Sequence, residues 1–131
     1  MDCIFCKIVK GEIPSYTIYE DEIVKVFLDI NPVSNGHCLI IPKKHFENII
    51  DIDLETLSHI DKVTKKLYPI LKEKLYCLGI TRTQNNEYGQ EVKHYHLHLI
   101  PRYNGDDINF KADKKELKDV KEVYNKLKME E

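Results

Sequence analysis

The chain has 131 residues, 42% hydrophobic and 32% charged, with a formal net charge of −2. That length supports one domain with a core of its own, and the near-neutral balance argues against nucleic acid or anionic lipid as a partner. No apolar run reaches bilayer-spanning length, and residues 1–20 lack a signal peptide's long apolar segment, so a cytoplasmic, membrane-free protein is expected.

Residues 3–10, which begin with the cysteines of "CIFC", read as a short helical turn. "SYTIYE" and "IVKVFL" read as two strands joined by an acidic turn at Asp21. The Asn-Pro and Asn-Gly steps of "FLDINPVSNG" turn the next stretch into a loop, and "HCLIIP" follows as a buried strand ending at Pro42. From 53 to 76, Leu54, Leu57, Ile60, Val63, Leu67, Leu71 and Leu75 recur at three- and four-residue steps. That spacing predicts an amphipathic helix capped by Asp53, with His59 on its surface. Pro69 lies inside the pattern and is expected to kink or split it. "CLGITRTQ" reads as a further strand, "NNEYGQ" as a polar loop and "VKHYHLHLIPRY" as the last strand. "DKKE" from Asp113 is a capping-box candidate leading into Leu117, Val120, Tyr124 and Leu127 of a terminal helix. Strands, helix, strands, helix, with no βαβ alternation, predict an α+β fold with an antiparallel sheet.

"HYHLHLIP", residues 94–101, holds three of the chain's six histidines. On a strand, His94, His96 and His98 share one face and Tyr95, Leu97 and Leu99 take the other. The strand rise sets His94 and His98 roughly 13 Å apart, whereas a zinc–nitrogen bond is only about 2 Å. Two neighbours can share a metal, but three on an unbroken strand cannot, so the histidines divide their tasks. The plain alternative is a solvent-facing strand rich in imidazole. A positioned imidazole can act as nucleophile or general acid–base, and a flanking imidazolium can hold developing negative charge. That combination suits attack on a phosphate. "CIFC" separately offers two thiolates at zinc spacing and needs two more ligands, with a redox dithiol or two idle thiols as alternatives. Cys38 and Cys77 sit in apolar strand contexts and read as ordinary buried cysteines.

Taken together, "CIFCKIVKGEIPS", "FLDINPVSNGH", "IIPKKH", "GQEVKH" and "HYHLHLIPR" resemble, in that order, the histidine triad (HIT) family of nucleotide hydrolases and transferases. The resemblance implies a five-stranded antiparallel sheet with one long helix and a C-terminal helix, extended to ten strands across a homodimer. It implies a HIT domain over residues 1–110 and a helical extension over 111–131 packed on or near it. The implied activity is cleavage at the α-phosphate of purine nucleoside phosphoramidates or acyl-nucleotides through a nucleotidyl-histidine. Two alternatives are a dinucleoside polyphosphate hydrolase and a zinc-stabilised nucleotide-binding protein with little turnover.

By position, His96 matches the nucleophile, and His98 and His37 match the histidines around the phosphate. Asp29 matches the carboxylate on the ribose hydroxyls. On the residues alone, Asp29 reads as a turn residue and His37 as a strand-start histidine. Phe5, Ile8, Ile13, Phe27, Ile30 and Leu39 match the base pocket or belong simply to the core. Asn85 or Asn86, with Gln90, matches the groups reaching the phosphate or the leaving group. In members with the cysteine pair, the histidines at positions 45 and 94 complete a structural zinc site, here Cys3, Cys6, His45 and His94, and catalysis needs no metal. Glu91 departs from the usual Ser or Thr beside the leaving group. A carboxylate there either donates a proton or repels an anionic leaving group.

Overall fold

Apolar residues on both faces of the central strands require a covering layer on each side, and the chain supplies two. In the computed structural model, which describes residues 2–129, the elements are α1 (Ile4–Val9), β1 (Thr17–Glu20), β2 (Val24–Leu28), β3 (Cys38–Pro42), α2 (Leu54–Leu75), β4 (Gly79–Thr83), β5 (Leu97–Arg102) and α3 (Val120–Leu127). The strands form one antiparallel sheet in the order β1-β2-β3-β5-β4, the α+β architecture expected. Val24, Val26, Cys38, Ile40, Leu97 and Leu99 face α2 and pack on Ile60, Val63 and Leu67. Phe27, Leu39 and Ile41 point the other way, onto Cys3, Phe5 and Ile8 of the N-terminal segment. The functional side chains lie on this second face, beneath the shorter helix.

The β1–β2 turn is built on Asp21. Its Oδ1 accepts the Ile23 and Val24 amides at 2.8 and 2.9 Å, and its Oδ2 accepts the Tyr19 hydroxyl at 2.9 Å. His59 Nε2 lies 2.7 Å from the same Oδ2, so this residue, expected as plain surface, ties α2 to the hairpin. Burial opposes the charge on Asp21, yet these bonds outweigh it and hold the carboxyl below the usual range.

Three boundaries differ from the sequence reading. The long helix neither splits nor stops at Pro69 but runs unbroken to Leu75, with Asp53 Oδ1 accepting the Thr56 amide at 3.0 Å. Pro69 and Lys65 are both exposed, so water can serve the Lys65 carbonyl that loses its helical donor. The last strand begins at Leu97 rather than Val92. Cys38–Ile40 pair with Leu99–Leu97, and continuing that register sets Pro42, which has no N–H, opposite Tyr95. The Tyr95 amide turns to the Phe46 carbonyl at 2.7 Å instead.

The terminal helix starts at Val120 rather than after Asp113, whose carbonyl accepts only the Glu116 amide in a single turn. Residues 109–129 are all exposed, so the extension expected to pack on the domain adds nothing to either core, and residues 130–131 of it lie outside the described residues. A stripe without a partner gives so short a helix little reason to lengthen. Among the described residues, no helix is long and apolar enough to cross a membrane.

Because Pro69 occupies an exposed interior turn of an intact helix, Pro69→Ala is expected to stabilise the protein by about 1–3 kcal/mol. Urea unfolding reads this as a higher midpoint at unchanged slope, and a lower midpoint would show the ring to be favourable where it stands.

Candidate functional site

Cys3 is the N-cap of α1, and its Sγ accepts the Cys6 amide at 3.3 Å. This turn sets both sulfurs beside two histidines from distant parts of the chain. Cys3 Sγ is 3.3 Å from His94 Nδ1, Cys6 Sγ is 3.3 Å from His45 Nδ1 and 3.6 Å from His94 Nδ1, and the two imidazole nitrogens are 3.1 Å apart. A tetrahedral zinc with bonds of about 2.0–2.3 Å requires ligand atoms roughly 3.3–3.8 Å apart. The four donors therefore fit such an ion in type, number and spacing. His94 is fully buried and its Nε2–H donates to the Pro42 carbonyl at 2.8 Å, which leaves the Nδ1 lone pair facing the cluster. Burial, aided by the His45 and His96 rings and opposed by the Pro42 carbonyl, pushes His94 down to about 4.

Two residues on, the pattern reverses. His96 Nδ1–H donates to the His94 carbonyl at 2.8 Å, so Nε2 keeps its lone pair. His98 is oriented from behind. The Val33 amide donates to His37 Nδ1 at 3.1 Å, so a neutral His37 carries its proton on Nε2 and donates to His98 Nδ1 at 2.9 Å. His98 in turn carries its proton on Nε2. Burial lowers His37 against the opposing pull of Asp29, whose Oδ2 lies 3.6 Å from His37 Nε2. Burial, with the His96 and His37 rings adding to it and Asp29 opposing, pushes His98 to about 4. At neutral pH both are thus neutral hydrogen-bond donors, not the imidazolium expected beside the phosphate. Asp29, His37 and His98 also bring three potential metal-ligand atoms within 4.8 Å of one another. There the Val33 bond makes His37 Nε2 a donor and unsuits it as a ligand.

His96 and His98 line a cavity of about 490 Å³. Phe5, Ile8, Ile13, Phe27, Ile30 and Leu39 form its apolar wall, with Asp29, Asn85 and Glu91 among its polar groups, so most of the expected residues converge. Three do not line it. His37 stands behind His98. Gln90 is turned to the backbone, with Nε2 donating to the Glu47 carbonyl at 2.6 Å and Oε1 accepting the Glu87 amide at 3.0 Å. Asn86 is turned likewise, Oδ1 accepting the Ile49 amide at 2.8 Å, which leaves Asn85 as the asparagine at the cavity. Ile4, Pro14, Ser15, Gly89 and Val92 also line it. Sequence reasoning singled out none of these, although Ile4, Pro14 and Ser15 fall within "CIFCKIVKGEIPS" and Gly89 and Val92 within "GQEVKH".

A family model described as the HIT domain matches residues 10–105. An uncharacterized HIT-like protein of Methanocaldococcus jannaschii is 45% identical, over 96% of this chain and 98% of its own. The adenosine 5′-monophosphoramidase of Candida albicans is 39% identical over 98% of this chain and 90% of its own. A zinc-bound histidine triad family protein of Mycobacterium smegmatis superposes with a TM-score of 0.79 at 39% identity, covering 86% of this chain and 84% of that one. The chain belongs to the histidine triad family.

A histidine kept neutral by the fold costs stability in acid. Between its ordinary value of 6.5 and about 4, the unfolded chain binds a proton that folded His98 does not. Stability therefore falls as pH drops through that window. His98→Gln is expected to remove part of this slope in urea midpoints measured from about pH 4 to pH 7. A slope equal to the parent's would place the acid sensitivity elsewhere.

Proposed function

We propose that the protein hydrolyses purine nucleoside phosphoramidates or acyl-nucleotides at the α-phosphate through a nucleotidyl-His96 intermediate. The observation that carries this reading is the bond from His96 Nδ1–H to the His94 carbonyl, which makes Nε2 the lone-pair nitrogen of the neutral ring on a residue lining the cavity. The phosphoramidase relative and the family's histidine triad support the same class of reaction.

In this mechanism His96 Nε2 forms a bond to phosphorus and the leaving group departs with the electron pair. The Nε2–H of His98 donates to a phosphoryl oxygen, and His37 holds that ring in its donor tautomer. Asp29 takes the ribose hydroxyls, the apolar wall takes the base, and Asn85 reaches the phosphate or the leaving group. Water then attacks phosphorus, releasing the nucleoside monophosphate and restoring His96. Cys3, Cys6, His45 and His94 hold a structural zinc, which when bound supplies a cross-link rather than a Lewis acid. Four protein ligands leave such a site closed. A cytoplasmic homodimer is part of the proposal, its ten-stranded sheet formed by pairing one open edge, β1 or β4, with the edge of a second copy.

Glu91 favours this reading over dinucleoside polyphosphate hydrolysis, because a carboxylate lining the cavity repels a polyanionic nucleotide leaving group more than an amine or a single carboxylate.

His96→Ala is expected to lower kcat on an AMP phosphoramidate by about 10³-fold or more, with AMP binding retained. The parent should yield an acid-labile nucleotidyl-histidine on quenching. Turnover within tenfold of the parent would exclude His96 as the nucleophile. Glu91→Ser should raise the diadenosine-polyphosphate-to-phosphoramidate ratio of kcat/KM by about five- to tenfold, as relief of like-charge repulsion in a solvent-open site requires. An unchanged ratio would remove Glu91 from leaving-group selection.

A further inference from the structure

We infer that the Cys3/Cys6/His45/His94 site and the nucleotide cavity are thermodynamically coupled, with Phe5 and the His94 backbone as the link. The inference rests on the reading that the cavity takes a nucleotide, and goes beyond it by making zinc affinity and nucleotide affinity depend on each other.

His94 belongs to both sites. Its Nδ1 faces the sulfurs, and the carbonyl of the same residue receives the Nδ1–H of His96. Phe5 is the second bridge. It stands between the two cysteines in sequence, and its buried ring packs edge-on against His94 at 5.8 Å and against His96 at 5.0 Å between centroids. The same ring lines the cavity, together with Ile4 and Ile8 of the same helix. Helix α1 has six residues, too few to hold its own shape, and its cap is Cys3 Sγ, one of the four donors. Apart from the sulfurs, its anchors include the packing of Phe5, Ile8 and Val9 and a bond from Lys25 Nζ to the Ile8 carbonyl at 3.0 Å. An ion among the four donors and a nucleotide in the cavity would therefore order the same short segment. Whichever binds first leaves less ordering for the other, and linkage makes the two enhancements equal.

The test uses the full chain loaded with one equivalent of zinc, with AMP as the probe. A chelator of known affinity competes for the metal with and without saturating AMP, and AMP titrations compare loaded with stripped protein. AMP is expected to raise zinc affinity about tenfold, and stripping to weaken AMP by the same factor. The chelator competition reads the coupling on folded, loaded protein, so it stands even where stripping unfolds the chain. Phe5→Leu is expected to keep one zinc per chain and measurable AMP binding while lowering the coupling factor to about threefold, the remainder passing through His94. If AMP binds but zinc retention is the same with and without it, the coupling is wrong and the nucleotide reading stands; if Phe5→Leu keeps the full factor, Phe5 is not a link and that part of the inference is wrong. If AMP does not bind loaded protein at all, the nucleotide reading fails and the coupling fails with it.

Discussion

The bond from His96 Nδ1–H to the His94 carbonyl is the interaction on which the site depends. A neutral imidazole has one proton to place, and a backbone acceptor 2.8 Å from Nδ1 places it there. The acceptor itself is held, because the ring of the same residue is buried and donates through Nε2 to Pro42 at the end of β3. Displacing His94 would therefore disturb the four-donor cluster and the proposed nucleophile together. A backbone acceptor also cannot be removed by a side-chain change, which makes the tautomer of His96 a property of the fold.

The same logic extends along residues 94–98 with alternating outcome. His94 presents Nδ1, His96 presents Nε2 as a lone pair, and His98, set by the chain Val33–His37–His98, presents Nε2 as a donor. One residue type thus yields a potential metal ligand, a base-like nitrogen and a hydrogen-bond donor, distinguished only by what holds the opposite ring atom. Burial keeps His37 and His98 from carrying charge at neutral pH. In the proposed reaction the cavity therefore offers the phosphate oriented dipoles rather than a fixed cation. Such dipoles need no proton uptake and little rearrangement as charge shifts during displacement.

What the sequence made legible was what repeats locally. Period-two strands, the three-and-four spacing of α2 and the facing of His94, His96 and His98 are fixed by neighbours a few residues apart, and each survives in the structure. The details that escaped depend on distant partners. That β5 starts at Leu97 follows from Pro42, more than fifty positions away, lacking an N–H to extend the ladder. Gln90 and Asn86 read as substrate-facing amides from family position, whereas in space each also bonds the backbone of the segment around 47–49. Pro69 warned of a break that an exposed turn tolerates. Most residues matched by family position line the cavity, but position could not say that His37 stands behind His98.

The exposed C-terminal segment follows the same division between local and distant causes. Leu117, Val120, Val123, Tyr124 and Leu127 carry the apolar spacing of a packed helix, yet all are exposed and only Val120–Leu127 is helical. Amphipathic spacing states that a helix has a face to bury, without stating against what. In α2 the face meets Val24, Val26, Ile40 and Leu99, and the helix runs for 22 residues, across a proline. In α3 no such surface is met, and eight residues remain, without a side-chain cap. Comparison of the two within one chain shows how much helix length owes to the surface beneath it, since the pattern and the capping candidate are present in both.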